Sequence, residues 1–247
     1  MYQRAYFPMN RVSLSQGYGL LSYSHQHTKA LDLGGNQKLF APFDCVVKKV
    51  YVPKKKDGSL DTSHAFEVWL TSLKKVLCPN GYYGKLTVAI THPKGIAKMK
   101  VGKEYKQYED LGLDTSDMTG KYDGNHAHLE VGKGIQSGWD ATILKKYKKY
   151  VIKNAVPPQD YLFVSPNALI GNEKYRGKKY DFIKEKDITY KVVGVPNEPL
   201  LIREEETEKA IGKLYNGNEV LKFDNNKRCK VYHYNVIGLT YKKYLKK

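Results

Sequence analysis

The 247 residues suffice for one large domain or for one medium and one small domain, and a hydrophobic content of 41% can supply a sizeable core. The formal net charge of +17, with lysine outnumbering arginine, favours diffuse attraction to a polyanion such as nucleic acid, a teichoic-acid-bearing cell wall or anionic lipid. Three cysteines at unrelated spacings support neither a disulfide framework nor a cysteine zinc site.

Short apolar and aromatic runs separated by Gly, Pro, Asn and Asp predict a mostly β chain with few amphipathic helices. In chain order, the amino-terminal half predicts strands or strand-like segments at residues 29–33, 39–51, 65–71, 85–92 and 126–131. A polar loop over residues 53–62 and an Asp/Gly/Ser-rich loop over 109–123 separate some of them.

Beyond Gly134 the pattern changes, first to a Lys/Tyr segment near residues 144–153 and then to a Pro/Asn/Gly-containing connector that ends at about Lys186. The lysine run at residues 145–149 is typical of a solvated face. From Ile188 onward, alternation predicts a small barrel. Its strands are expected at residues 189–193, 200–203, 210–214, 219–223, 230–234 and 238–240.

The segment at residues 124–131 (GNHAHLEV) places two histidines two positions apart in a strand-like pattern. Side chains at i and i+2 share one face of a strand, so His126 and His128 point into the same space while Ala127 and Leu129 point the other way. Glu130 lies on the histidine face, either supporting His128 or exposed to solvent. Alone, a His-x-His motif is a weak signal and needs partners upstream.

Upstream partners are present at residues 24–33 (SHQHTKALDL), which contain two histidines and an aspartate between two leucines. If Leu31 and Leu33 face the core, Asp32 is an unusual carboxylate that a metal could compensate. The alternative is that Asp32 caps the following Gly34-Gly35 turn. A hydrolytic zinc site needs about three protein ligands from imidazole and carboxylate groups, with the fourth position left for water.

Taken in order, these motifs resemble the lysostaphin-type zinc endopeptidases of peptidoglycan, in particular their phage-lysin branch. The resemblance covers roughly residues 15–135 and rests on an ordered set of matches. They are His25 with Asp32, residues 41–47 (APFDCVV), His92 before Pro93, residues 100–107 (KVGKEYKQ) and the His-x-His strand.

By this resemblance, His25, Asp32 and His128 bind Zn²⁺, His126 is the general base and His92 is a second imidazole assisting the attacking water. The family's shortest pattern separates the first His and the Asp by three residues, whereas His25 lies seven before Asp32 and His27 five before it. The pattern Ser-His-x-Gly-x-x-Ala-Leu-Asp-Leu aligns His25, with His27 as the alternative. His64 and His233 are expected to be surface or packing residues.

The carboxy-terminal residues 200–220 and 238–245 resemble the bacterial Src-homology-3-like wall-binding module. Leu239 stands where many members have Trp, and the alternative is a barrel that only packs on or spaces the catalytic domain. The resemblance therefore implies an antiparallel β-sheet peptidase domain over residues 1–155, a linker over 156–187 and a Src-homology-3-like wall-binding barrel over 188–247.

The implied protein is a zinc metallo-endopeptidase that cuts stem or cross-bridge peptides of peptidoglycan, as an endolysin or a virion-associated lysin of a phage. The amino terminus lacks the layout of a secretory signal and no apolar run reaches membrane-spanning length. We therefore expect synthesis in the host cytoplasm, release through a holin or delivery by the virion, and no membrane insertion. Peptidoglycan is the expected partner, and nucleic acid is not. The alternative is a non-catalytic wall-binding or tail protein on a degenerate peptidase fold.

Overall fold

The computed structural model of the chain describes residues 2–247, and these residues are mostly β, as the sequence predicts. The strands are short and mostly antiparallel. In chain order they are β1 (Gln3–Arg4), β2 (Arg11–Val12), β3 (Leu14–Gln16), β4 (Leu31–Gly34), β5 (Lys38–Phe40), β6 (Cys45–Tyr51), β7 (Glu67–Ser72), β8 (Val76–Leu77), β9 (Tyr83–Gly84), β10 (Leu86–Thr91), β11 (Glu104–Tyr105), β12 (Asp110–Asp114), β13 (His126–Lys133), β14 (Ala155–Val156), β15 (Leu169–Ile170), β16 (Lys174–Tyr175), β17 (Lys178–Lys179), β18 (Thr189–Val192), β19 (Leu200–Arg203), β20 (Ala210–Leu214), β21 (Glu219–Lys222), β22 (Arg228–His233), β23 (Val236–Tyr241) and β24 (Leu245–Lys246).

An eight-stranded antiparallel sheet carries the residues that the sequence singles out. Its order is β11-β6-β7-β10-β13-β4-β3, with β14 added beside β13. Strand β13 lies between β10 and β4, so that His128 is flanked by Thr91 on one side and by Asp32 on the other. Ala127 and Leu129 are fully buried in the core, which leaves the two histidines on the opposite face, as strand alternation predicts.

The main hydrophobic core lies against this sheet and also takes in side chains from the segment after the sheet. Leu162, Val164, Tyr180 and Phe182 belong to it, and the Tyr180 hydroxyl donates a hydrogen bond to the carbonyl of Tyr18 at 2.8 Å. Much of the predicted connector over residues 156–187 is therefore packed against the first sheet. The domain limits 1–155, 156–187 and 188–247 stay a prediction.

The carboxy-terminal strands form a separate seven-stranded antiparallel sheet, in the order β20-β19-β23-β22-β21-β18-β24. Its core is independent of the main one and includes Val192, Ile202, Leu214 and Val231. The observed strands β19 and β20 have the predicted limits. A small cluster that includes Leu77 and Tyr232 joins this sheet to the amino-terminal half.

Two α-helices and three 3₁₀ segments occur within residues 2–247. They are α1 (Ala141–Tyr147), α2 (Pro158–Tyr161), Lys94–Lys98, Glu185–Ile188 and Lys242–Tyr244. The sequence assigns no helix to the Lys/Tyr segment, but α1 extends into it. The helix begins at Ala141 because the Asp140 carboxylate accepts hydrogen bonds from the backbone amides of Thr142 and Ile143. No helix in the described chain has the length and apolar character that a bilayer crossing requires.

Candidate metal centre

Two neighbouring strands bring Asp32 and His128 together. Because the residues are register partners on β4 and β13, their side chains leave the sheet side by side, and Nδ1 of His128 lies 3.0 Å from Oδ1 of Asp32. Leu31 and Leu33 are fully buried in the core on the other face of β4. Asp32 therefore faces the histidines, and the alternative of a turn cap is wrong.

The third candidate ligand, His25, comes from the loop between β3 and β4. Hydrogen bonds at this loop hold His25 in place. The side-chain amide of Gln16 donates to the hydroxyls of Ser22 and Ser24, and the backbone amide of His25 donates to the Ser22 hydroxyl at 3.1 Å. The His25 side chain is buried, and its Nε2 lies 3.5 Å from Oδ1 of Asp32.

Together, these three side chains form a cluster able to hold a metal ion. Ligand atoms of His25, Asp32 and His128 all lie within 4.8 Å of one another. The two separations from Asp32, 3.0 Å and 3.5 Å, suit donors sharing one ion with bonds of about 2 Å. Two imidazoles and one carboxylate facing an open cleft are the donor set of a hydrolytic zinc site.

The two other predicted histidines lie beside this cluster with one ring nitrogen already engaged. Nδ1 of His126 hydrogen-bonds the carbonyl of Gly124 at 2.9 Å, and Nδ1 of His92 hydrogen-bonds that of Thr119 at 2.9 Å. A carbonyl only accepts, so in each neutral ring Nδ1 carries the proton and Nε2 keeps its lone pair. Nε2 of His126 lies 3.8 Å from Oδ1 of Asp32, and the His92 and His126 rings are 4.8 Å apart.

His92 has an unusual backbone for a residue with a side chain, because its φ is +94°. It follows Thr91, the last residue of β10. The His92 amide donates to the carbonyl of Phe66, and its carbonyl accepts from the Thr119 amide and hydroxyl. These hydrogen bonds maintain a conformation that costs about 1–3 kcal/mol, a strain that often occurs at functional sites.

The charges in the cluster are divided unequally. Burial lowers the pKa of His128, but its hydrogen bond to Asp32 and the nearby carboxylate of Glu130 outweigh this and raise it to about 10. Burial and the nearby charge of His128 lower the pKa of His25 to about 3 and that of His92 to about 4. Although burial raises the pKa of Asp32, its hydrogen bond with His128 brings the value down to about 2. Without a metal, a proton on His128 therefore balances the aspartate.

Glu130 supports His128 from behind. The side chain is buried, so the alternative of a solvent-exposed strand residue is wrong. Oε2 of Glu130 accepts a hydrogen bond from the Ile152 amide at 2.6 Å, and Oε1 lies 3.5 Å from Nε2 of His128. His128 thus directs one nitrogen at the metal cluster and the other at a carboxylate, an arrangement that orients metal-binding histidines in many proteins.

The remaining histidines lie elsewhere. His27 stacks on Tyr147 of α1 with ring centroids 3.7 Å apart, so the structure places His25, and not His27, in the cluster. His64 is exposed and contacts Asp61, while Nδ1 of His233 hydrogen-bonds the Glu219 carbonyl. The carbonyls of Gly124 and Thr119 determine which nitrogen carries the proton in the neutral rings of His126 and His92. No sequence pattern predicts these contacts, because loop geometry alone positions the carbonyls.

The cluster lies in an open cleft of about 750 Å³. Its walls include the exposed rings of Tyr23, Tyr122 and Tyr150, which the sequence did not single out. An extended chain can enter such a cleft and present a carbonyl group to the cluster. The arrangement can therefore bind a metal, admit a polymeric substrate and accept a proton at Nε2 of His126 or His92.

Comparison with known proteins shows distant similarity to solved structures. No family model and no curated protein matches the chain. Among solved structures, the chain is similar to the NMR solution structure of lysostaphin, with a TM-score of 0.35 and 16% sequence identity over 97% of this chain and 90% of that chain. The functional conclusion therefore rests on the geometry of the cleft and on the ordered motifs of the sequence.

Proposed function

We propose that the chain is a zinc-dependent endopeptidase that hydrolyses stem or cross-bridge peptide bonds of bacterial peptidoglycan, as a lysin of a phage or prophage. One observation carries the enzymatic part of this proposal. His25, Asp32 and His128 converge in an open cleft beside two histidines whose Nε2 atoms are free to accept protons. A purely structural site would not need proton acceptors next to a metal cluster.

The chemistry follows from the donor set and from the ring protonation. His25, Asp32 and His128 would hold a zinc ion, which would supply a bound water with its pKa lowered toward about 7 and a charge that polarises the scissile carbonyl. His126 takes the water proton at Nε2, because its Nδ1 proton is held by the Gly124 carbonyl. His92, with the same protonation pattern, accepts a hydrogen bond from the water at Nε2 and stabilises its orientation.

The substrate class is supported by the order of the sequence motifs. The motifs at residues 25–32, 41–47, 92–93, 100–107 and 124–131 follow the pattern of peptidoglycan endopeptidases. The carboxy-terminal residues resemble a wall-binding Src-homology-3-like module, which would hold the enzyme on its substrate. The proposed place of action is the cell wall, reached through a holin or from the virion, and the proposed partner is peptidoglycan.

The second candidate is a wall-binding or tail protein whose peptidase site has degenerated. Its motivation is the seven-residue separation of His25 and Asp32, which departs from the family's shortest pattern. The loop hydrogen bonds nevertheless bring His25 to 3.5 Å from Asp32, so the longer spacing does not remove a ligand. This geometry favours the enzyme.

The test is lysis of purified sacculi from several Gram-positive species, followed by turbidity and by mass analysis of the soluble fragments. We expect release of new peptide amino groups by the protein as prepared, loss of release with a chelator, and recovery when zinc is restored. His126→Ala serves as a matched control, because it removes the base and leaves the three ligands. Tight binding to sacculi without any new amino groups would support the wall-binding candidate instead.

A further inference from the structure

A second groove, of about 860 Å³, lies on the carboxy-terminal sheet and shares no residue with the cleft of the metal cluster. Five of the nine residues that line it are lysines, and none is acidic. Lysine and arginine together make up 42 of the 247 residues, so the basic character of the chain does not account for this density. The five are Lys222, Lys227, Lys242, Lys243 and Lys246.

Lys222 is the unusual member, because it is only 6% exposed. Its ammonium donates a hydrogen bond to Oδ1 of Asn225 at 2.7 Å and lies 4.1 Å from the centre of the Tyr190 ring. Neither group neutralises it. Buried cations are costly unless an anion accompanies them, and this ammonium faces a groove in which an anion could do so.

The other four lysines surround this buried charge and are exposed. Within residues 2–247, none of the five forms an ion pair with an aspartate or a glutamate. Lys242 only donates to the carbonyl of Asn225 at 3.3 Å. Five uncompensated cations around one groove repel one another, so a ligand carrying several negative charges would relieve that repulsion.

We propose that this groove binds the phosphate groups of a polyol-phosphate polymer of the bacterial cell wall. The inference that the groove binds an anion does not depend on the proposed function, whereas the choice of a wall polymer rests on it. Lysines act as point charges that suit a flexible chain of phosphodiesters. Such a chain carries its negative charges at regular intervals, and a series of cations along the groove is sufficient to bind it.

Nucleic acid is the competing phosphodiester, and one feature of the groove disfavours it. No arginine lines the groove, although arginine is the side chain that most often recognises bases. Of the two tyrosines in the lining, Tyr190 lies against the Lys222 ammonium and Tyr241 is 44% exposed, so stacking of bases on Tyr241 is what the DNA arm of the experiment tests. A polymer without bases needs neither an arginine nor an open ring.

The experiment measures binding of the full chain to purified, soluble poly(glycerol phosphate) by titration calorimetry, with a chelator present. The test variant is K227Q/K242Q/K243Q/K246Q, whose four positions are exposed. The matched control is K54Q/K55Q/K56Q/K100Q, which removes the same charge from exposed positions elsewhere. We expect the test variant to lose at least tenfold in affinity and the control to change less than twofold.

Salt provides an independent readout. With about four phosphate contacts, the affinity of the unaltered chain should fall about 50-fold between 50 and 200 mM salt, and that of the test variant much less. A Lys222→Met variant should also weaken binding, while its circular dichroism and melting temperature show that the sheet is intact. Equal losses in the test variant and in its control would overturn the site, because net charge alone would explain the binding.

Single-stranded DNA of matched charge forms the last arm. Weaker binding of DNA than of poly(glycerol phosphate) supports the proposal, and equal or tighter binding of DNA overturns the choice of polymer in favour of nucleic acid. The polymer contains no peptide bond and the chelator removes zinc. If the chain does not bind the polymer, the proposed endopeptidase activity is therefore not contradicted. If the endopeptidase activity is absent, the proposed anion site is likewise not contradicted.

Discussion

His128 and Asp32 are register partners on adjacent antiparallel strands, and Nδ1 of His128 lies 3.0 Å from Oδ1 of Asp32. The pairing of β4 with β13 therefore builds two thirds of the metal cluster from regular sheet geometry. Only His25 depends on a loop. A rigid sheet holds ligands more accurately than loops do, which makes these two residues the most informative to change.

We expect Asp32→Ala and His128→Ala to lose zinc and lytic activity together, because each removes one of three ligands. Metal analysis after dialysis measures the zinc content, and circular dichroism measures the fold. His27→Ala is the control, since His27 stacks on Tyr147 outside the cluster and its loss should leave zinc in place. One equivalent of zinc retained by either ligand variant would contradict this ligand set.

His126→Ala should separate metal binding from turnover. His126 is not one of the three proposed ligands, so the variant should keep its zinc. Its kcat should fall about 10²–10⁴-fold because the proton acceptor is gone. Single-turnover assays on sacculi measure the loss, and exposed His64 provides a control as His64→Ala. Undiminished turnover would show that His126 is not the base.

Glu130 should tune zinc affinity without binding zinc. Removing its carboxylate leaves Nε2 of His128 without its partner, so Glu130→Gln should weaken zinc binding by about 10–100-fold. Glutamine keeps the shape and can still accept the hydrogen bond from the Ile152 amide. Competition with a fluorescent chelator measures the dissociation constant, with exposed Glu219→Gln as control. An unchanged constant would assign Glu130 to packing alone.

At about pH 6, binding of zinc should release one proton from the protein. The pKa of His128 is raised to about 10, so this ring is protonated in the metal-free protein and must lose its proton to ligate zinc. His25 and Asp32 are already deprotonated at that pH, with pKa values of about 3 and about 2. Affinity should thus rise about tenfold per pH unit between pH 5 and 7, so activity at a limiting zinc concentration should fall steadily as the pH is lowered through this range.

Titration calorimetry at pH 6 in two buffers of different ionisation enthalpy counts the protons directly. The expected value is about one proton per zinc, and the same measurement on His64→Ala should give the same number. A heat of binding that does not depend on the buffer would contradict a protonated His128.

Leu129→Ala tests the orientation of β13. Leu129 is fully buried on the face opposite the histidines, so truncation should lower the free energy of unfolding by about 2–5 kcal/mol. Zinc content per folded molecule should not change. Urea unfolding measures the loss, and Val101→Ala, at a residue that is 64% exposed, should have little effect. A neutral Leu129→Ala would mean that this face is not the core.

Much of the candidate site could be predicted because strand alternation is a local property. A period of two places His126 and His128 on one face and Leu129 on the other whatever surrounds the strand. The same rule turns Asp32 away from the core between two leucines. Strands β19 and β20 were predictable for the same reason.

Tertiary structure decided what depends on distant segments. The choice between His25 and His27 follows from loop hydrogen bonds and from the position of Tyr147 on α1, more than 110 residues along the chain. The burial of Glu130 depends on the Ile152 amide, and the protonation of His92 and His126 depends on two loop carbonyls. Backbone carbonyls are alike at every residue, so no side-chain pattern predicts which of them will meet a ring nitrogen. The lysine groove likewise exists only because separated strands and turns converge on one surface.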